Sequence, residues 1–254
     1  MRIALVTGAS SGLGREFVRQ LAHEPGLDEI WVVARRRERL EELRAACPLP
    51  VRVLALDLTR PECMDTLRRV LAEHKPNLRV LVNAAGMGRI GPTVDLPARD
   101  IGAMIDLNCR AAAQVTDAAF PYLHPGSRVL EVCSTAAFQP MPGLNVYAAT
   151  KAFLLSYTQS LHYELAPAGI RVTAVCPYWV KDTEFIGIAS ANGQGFRHYP
   201  LASRSADVVR RALRDSARNR RVSTPGLVCT VHRVAAKILP TAAALPAADR
   251  MRKI

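Results

Sequence analysis

Acidic side chains are in short supply: 22 Asp and Glu stand against 34 Lys and Arg, a formal charge of +12 over 254 residues. That imbalance suits polyanions and phosphorylated small molecules but does not by itself choose between them. The six cysteines, at positions 47, 63, 109, 133, 176 and 229, lie in apolar surroundings with no Cys-x-x-Cys spacing. Neither a metal site nor a disulfide framework is implied, and they read as small core residues of a reducing compartment. No stretch of about 18 uncharged apolar residues occurs, which excludes stable membrane insertion by a helix. The opening apolar run, Ile3 to Val6, ends at Gly8 and is too short for a signal segment. A soluble, cytoplasmic protein is the resulting expectation. Internal repeats and low-complexity tracts are also missing. Disorder of the whole chain is excluded by 49% hydrophobic and 22% charged residues, and the length suits one large core.

What is present is an alternation. Short apolar runs at Ile3 to Thr7, Glu29 to Ala34, Val51 to Leu56, Leu78 to Asn83, Ser127 to Cys133 and Ile170 to Cys176 have strand character. Between them, Glu16 to Leu21, Arg37 to Ala46, Cys63 to Ala72, Ile101 to Ala119 and Val146 to Leu165 have helical spacing. Strand and helix in turn predict an α/β fold: a doubly wound parallel sheet with helices on both faces. Near-continuous apolarity along the strands fits burial on both sides. The rhythm breaks after Cys176, and Glu184 to Ser203, rich in glycine, reads as a substrate lid. One domain spans 1–254, with a cofactor-binding and catalytic core over about 1–185 and a lid and C-terminal extension over about 184–254.

The first strand runs into Thr7-Gly8-Ala9-Ser10-Ser11-Gly12-Leu13-Gly14 and then a helix, the order that binds a dinucleotide pyrophosphate. Its spacing is Gly-x-x-x-Gly-x-Gly, with Phe17 where a later glycine is common. The second strand ends at Ala34 and is followed by Arg35, Arg36 and Arg37, where a carboxylate would otherwise meet a ribose 2′-hydroxyl. Arginine there pairs with a 2′-phosphate, so NADP(H) is favoured over NAD(H), with Arg35, nearest the strand end, as the leading contact.

Tyr147 and Lys151 stand at i and i+4 on one helix face, and an adjacent cation stabilises phenolate. Ser134, at the end of the fifth strand, brings a hydroxyl to the sheet edge where such folds bind ligands. With these motifs in this order, residues 1 to 185 resemble the short-chain dehydrogenase/reductase family. The glycine loop is similar to that family's cofactor loop, Asp57-Leu58 to its adenine contact, and Asn83-Ala84-Ala85-Gly86 to the segment closing its fourth strand. Ser134, Tyr147 and Lys151, with Asn108 on a helix, match its catalytic residues. The resemblance implies that Tyr147 exchanges a proton with a carbonyl oxygen as hydride moves to or from the nicotinamide. It further implies that Lys151 lowers the phenol pKa and holds the ribose, Ser134 positions the carbonyl, and Asn108 supports a water path to Lys151. A homodimer or homotetramer is implied as well.

Cys176-Pro177-Tyr178-Trp179-Val180-Lys181-Asp182-Thr183 departs from the family's Pro-Gly-x-Val-x-Thr, leaving Pro177, Val180 and Thr183 as the cofactor contacts of that segment. A glycine-rich final strand is missing, and Arg221 to Gly226 is the nearest substitute. Phe138, Met141, Pro142, Leu144, Tyr178, Trp179, Phe185 and Ile186 surround the catalytic strand ends in sequence. They favour an apolar carbonyl substrate: a 3-oxoacyl chain, a sterol-like ketone or an aromatic ketone. The alternative reading is a non-catalytic NADP(H) sensor on the same fold. The seven arginines between 204 and 221 read as a solvated helix face rather than a nucleic-acid surface, since no aromatic residues interleave. The apolar tail, with Leu227, Val228, Val231, Val234, Ile238 and Leu239 near helical spacing, is expected to cover the pocket or meet another subunit.

Overall fold

A computed structural model describes residues 1–191, 201–242 and 245–246. Seven parallel strands form one sheet in the order β3-β2-β1-β4-β5-β6-β7. They are β1 (Arg2–Thr7), β2 (Glu29–Ala34), β3 (Val51–Ala55), β4 (Asn77–Asn83), β5 (Leu123–Val132), β6 (Arg171–Val175) and β7 (Val222–Ser223). Successive side chains of a strand point to opposite faces, and both faces here are covered. Ala4, Val6, Ile30, Val32, Val80 and Val82 belong to one buried layer, whereas Ile3, Leu5, Trp31, Val33, Leu78 and Leu81 belong to the other. This two-sided burial is why the strands read as continuous apolar runs.

The helices are α1 (Gly12–Leu21), α2 (Arg37–Ala46), α3 (Pro61–His74), α4 (Ala98–Ile105), α5 (Ala112–Ala119), α6 (Asn145–Glu164), α7 (Phe185–Ala189), α8 (Ser205–Ala217) and α9 (Leu227–Ile238). Several depart from the sequence expectation for identifiable reasons. α1 begins at Gly12 rather than Glu16, because the glycine loop itself supplies the first helical turn. α3 begins at Pro61, whose fixed φ and missing N–H suit a first helical position. The single helix expected over Ile101 to Ala119 is interrupted by a π-helical turn, Asp106–Ala111, between α4 and α5. Such turns concentrate at functional sites, and this one carries Asn108. Phe17, in the place of the missing glycine, lies on the buried face of α1 and is fully buried.

The expected lid contains α7 at its start, while Asn192, Gly193, Gly195 and Pro200 lie outside the described residues. A seventh strand, β7, forms at Val222–Ser223, within Arg221 to Gly226, the segment expected to stand in for the final strand. In the arginine-rich segment, α8 buries Val208, Val209 and Ala212, pairs Arg210 with Asp207 on its outer face at 3.1 Å, and pairs Arg211 with the buried Asp215 at 2.9 Å. Of the two roles expected for the apolar stripe of α9, covering the pocket and meeting another subunit, the first does not apply. Leu227 and Ile238 are 79% and 73% exposed, and it is His232, on another side of the helix, that reaches the central cleft. Among the described residues no helix is long and apolar enough to cross a membrane.

Candidate active site

The strand order reverses between β1 and β4, and at the carboxyl ends of these strands a cleft of about 610 Å³ opens. One end is built from the glycine loop. A Cβ on Gly14 would fall 2.3 Å from the Gly8 carbonyl oxygen, and one on Gly8 would fall 2.7 Å from the Ala85 nitrogen. The loop therefore folds on itself and on the segment after β4 so closely that neither position has room for a side chain. Thr7 fixes that approach, its hydroxyl accepting from the Ala85 N–H at 3.1 Å. Gly8, Ser10, Ser11, Gly12, Leu13 and Gly14 all line the cleft, as do Ala84, Ala85 and Gly86. Asn83 does not. Its amide is turned into the sheet, donating to Thr116 and Glu131 at 2.8 Å each, so its side chain holds the end of β4 rather than facing the cleft.

Arg35 and Arg36 both border the cleft but do different things. The Arg36 guanidinium lies across the loop, donating to Ser11 Oγ at 2.8 Å and Ser10 Oγ at 3.1 Å, and pairs with Glu184 at 2.9 Å. Arg35 lies in the field of Asp57 instead. Burial raises the Asp57 carboxyl, but bonds from the Thr59 hydroxyl and N–H and the charges of Arg35 and Arg60 outweigh it and hold the group below its usual range. Leu58 and Asp57 line the cleft beside it. The seat over the phosphate loop thus belongs to Arg36, with Arg35 to one side. Arg39, which sequence reading passed over, joins by an ion pair to Glu184. Its i,i+3 spacing from Arg36 was the available signal. No local pattern marked Glu184.

At the other end, Ser134, Tyr147 and Lys151 come together on the cleft wall. Ser134 is held by the Ala136 N–H at 3.1 Å. Lys151 donates from Nζ to the Val132 carbonyl at 2.8 Å and stands 5.8 Å from the centre of the Tyr147 ring. Asn108 is fully buried, accepting from the Met87 N–H at 2.9 Å and donating to the Met87 carbonyl at 2.8 Å and Thr150 Oγ1 at 3.0 Å. It is close to Lys151: a Cβ on Gly86 would meet Asn108 Oδ1 at 3.1 Å and Lys151 Nζ at 3.3 Å.

Tyr147 and Lys151 are both buried, and burial is the largest influence on each. Burial pushes the Tyr147 phenol well above its ordinary value, against the opposing hydrogen bond from Ser134. Burial likewise lowers Lys151, against the favourable field of Cys133 and Glu131. Removing both groups from water disfavours phenolate and ammonium alike. The phenol is therefore held in its protonated form, the one able to give a proton to a carbonyl oxygen.

Pro177 and Val180 line the cleft, and Val180 bridges to Ser203. Thr183 follows Val180 by three residues where the family pattern has two, yet it stays in the site: its hydroxyl donates to the Val180 carbonyl at 3.0 Å, and its side chain faces Gly12. Met87, Met141, Leu144, Trp179, Phe185 and Ile188 form the apolar wall beside Tyr147. Phe185 lies 5.4 Å from the Tyr147 ring centre, and Gly88 leaves space for both rings. Set into this wall is an ion pair that sequence reading also missed, Arg89 with Asp100 at 2.9 Å.

A family model described as short chain dehydrogenase matches residues 2–192. The chain belongs to the short-chain dehydrogenase family. This short-chain dehydrogenase is 35% identical over 198 residues to sulfoacetaldehyde reductase 2 of Chromohalobacter salexigens, covering 76% of this chain and 77% of that protein. Its fold is similar to that of a short-chain dehydrogenase from Sphingobium yanoikuyae in complex with NADPH, with a TM-score of 0.79, 29% identity and coverage of 95% and 98% of the two chains. A bulky-bulky ketone specific alcohol dehydrogenase from Comamonas testosteroni superposes with a TM-score of 0.74 at 26% identity, covering 95% and 96%. Membership makes the chain an oxidoreductase working between alcohol and carbonyl groups.

Proposed function

We propose that this short-chain dehydrogenase uses NADP(H) to interconvert a carbonyl and a secondary alcohol, with an apolar ketone as substrate. The observation that carries the reading is the convergence of Ser134, Tyr147 and Lys151 in the same cleft as the glycine loop and Arg36. The residues fit the cofactor: the loop leaves backbone exposed where a pyrophosphate lies, and Arg36 with Ser10 and Ser11 offers donors to a 2′-phosphate with no carboxylate at the end of β2. When bound, the nicotinamide supplies the hydride. Tyr147 gives its phenolic proton to the carbonyl oxygen in reduction and takes it back in oxidation. Ser134 donates to the same oxygen and holds it beside the phenol. Lys151, held by the Val132 carbonyl and with Asn108 nearby, stands beside the phenol and would hold the nicotinamide ribose.

The apolar wall of Met141, Leu144, Trp179 and Phe185 favours a bulky ketone. A second reading, a small carbonyl compound bearing an anionic group, is favoured by Arg89 in that wall and by the likeness to a sulfoacetaldehyde reductase. The Arg89–Asp100 pair leaves the arginine already neutralised, so the apolar reading leads. Oxidation of NADPH against a panel of bulky ketones, 3-oxoacyl thioesters and sulfoacetaldehyde tests both. Turnover of ketones is expected, with Tyr147→Phe lowering it by about 10²- to 10⁴-fold, the usual worth of a positioned acid, and leaving NADPH binding unchanged. Retained turnover in Tyr147→Phe would overturn the mechanism, and sulfoacetaldehyde as the sole substrate would transfer the specificity to Arg89.

A further inference from the structure

Glu184 stands at the lip of the cleft with both carboxylate oxygens engaged: Oε2 accepts from Arg36 at 2.9 Å, and Oε1 accepts from Arg39. The same Arg36 guanidinium reaches Ser10 and Ser11 of the phosphate loop. One carboxylate therefore bridges two guanidiniums at the place where the proposed function seats a 2′-phosphate. We propose that Glu184 sets the cofactor preference of this enzyme by acting as an internal anion that a 2′-phosphate must displace from Arg36 and Arg39. The inference rests on the NADP(H) reading and deepens it.

Charge and exposure both bear on the exchange. Side chains of Arg36, Arg39 and Glu184 are 40%, 40% and 37% exposed, so the pairs are screened by solvent and open to competition. Bonds from Arg39 and Arg36 hold the Glu184 carboxyl below its ordinary value, so it is a carboxylate at neutral pH. A phosphate monoester carries about −1.5 to −2 there and presents three strong acceptor oxygens, against a single charge and two oxygens on Glu184. A ribose 2′-hydroxyl has no charge with which to compete. A phosphorylated cofactor thus gains the arginines only less the interaction that Glu184 gives up, while an unphosphorylated one leaves the pair intact. The exchange also touches the substrate end, since Glu184 directly precedes α7 and Phe185 packs on Tyr147.

The test is calorimetric titration of the full chain with 2′,5′-ADP and with 5′-AMP, which differ only in the 2′-phosphate, for the wild type and Glu184→Gln. Glutamine keeps the shape and removes the charge at an exposed position. Glu184→Gln is expected to bind 2′,5′-ADP about three- to tenfold more tightly and 5′-AMP equally well, as loss of two screened ion pairs implies. Unchanged or weaker 2′,5′-ADP binding, with the wild type still preferring it over 5′-AMP, would overturn the inference alone, since Glu184 would then be a bystander or an orienting group. Equal affinity for the two nucleotides in both proteins would overturn the NADP(H) reading along with it.

Discussion

The two ends of the cleft are built on different physical principles. At the phosphate-loop end, position is set by backbone and by directed polar bonds: Thr7 to Ala85, Arg36 to Ser10 and Ser11, Asp57 to Thr59. At the substrate end, the wall of Met87, Met141, Leu144, Trp179 and Phe185 is shaped by side-chain packing, with the Arg89–Asp100 pair as a polar inlay. Directed bonds to backbone hold one geometry and fail when an atom is added. Packing among flexible apolar groups accommodates exchange at a cost usually below about 1.5 kcal/mol. A cofactor end that must present fixed donors to a constant ligand is joined to a substrate end free to vary.

The sharpest way to break this comparison is Gly14→Ala. The new methyl would sit 2.3 Å from the Gly8 carbonyl oxygen and 2.6 Å from its carbon, both backbone, so the loop itself has to move. A loss of about 3 kcal/mol or more in unfolding free energy is expected, at the upper end for overpacking, together with loss of 2′,5′-ADP binding. Gly102→Ala in α4 is the control. Nothing lies within 4 Å of the added methyl there, so helix propensity alone acts and a gain of about 0.5 to 1 kcal/mol is expected. Urea unfolding midpoints measure both, and a Gly14→Ala protein as stable as the wild type would remove the steric account of the loop.

Why one end was legible in sequence and the other less so follows from the same contrast. Glycine spacing after a strand, and Tyr147 four residues before Lys151, are local patterns, so the loop and the catalytic pair could be read from neighbouring residues. The six main strands were readable because burial on two faces writes the same apolar run into each, although β5 starts four residues before the expected Ser127. Pairings across the chain left no such trace. That Arg36, rather than Arg35, bonds the loop serines could not be read locally, since its partner Glu184 is 148 residues away. The inward turn of the Asn83 amide is equally invisible locally, because Glu131 and Thr116, which take it up, lie on β5 and α5. The apolar spacing of α9 was visible, but not that another side of the helix, with His232 against Phe138, meets the rest of the protein, because that depends on where β7 delivers the chain.

Glu131 lies between the two ends and yields the next largest effect. Its Oε1 accepts from Asn83 at 2.8 Å and Thr116 at 2.9 Å, while Oε2 is buried with no hydrogen-bond partner among the described residues. Burial pushes the carboxyl up from 4.5 to about 7, with the bonds from Asn83 and Thr116 and the charge of Lys151 opposing. The native state therefore holds a proton that the unfolded chain releases above pH 4.5. The stability this contributes is complete below about 4.5 and is lost as pH rises through 7, by roughly 3 kcal/mol. Glu131→Gln has no proton to lose. Between pH 4.5 and 8, the unfolding free energy of the wild type is expected to fall relative to Glu131→Gln by that amount, and a constant difference across the range would contradict the assignment. Taking the difference isolates Glu131 from Asp28, Asp57 and Glu184, whose depressed values act in the opposite sense at lower pH.

Met141→Leu tests the substrate end by the smallest expected change. Met141 is a partly buried side chain packed against the layer that contains Ile90, Leu96, Met104 and Tyr147, and it faces the cleft. Leucine conserves its volume closely and loses the flexible thioether, so stability is expected to shift by less than about 1 kcal/mol. No directed bond from Met141 reaches the phosphate loop, and 2′,5′-ADP titration is expected to give the wild-type affinity. The effect is confined to the ketone: KM values across a substrate series move by a few-fold in a pattern set by substrate shape, because a branched side chain fills the wall differently. A tenfold loss of nucleotide affinity would mean that packing at the substrate end is transmitted to the loop, and α7, with Glu184 before it and Phe185 on Tyr147, is the element through which that transmission would run.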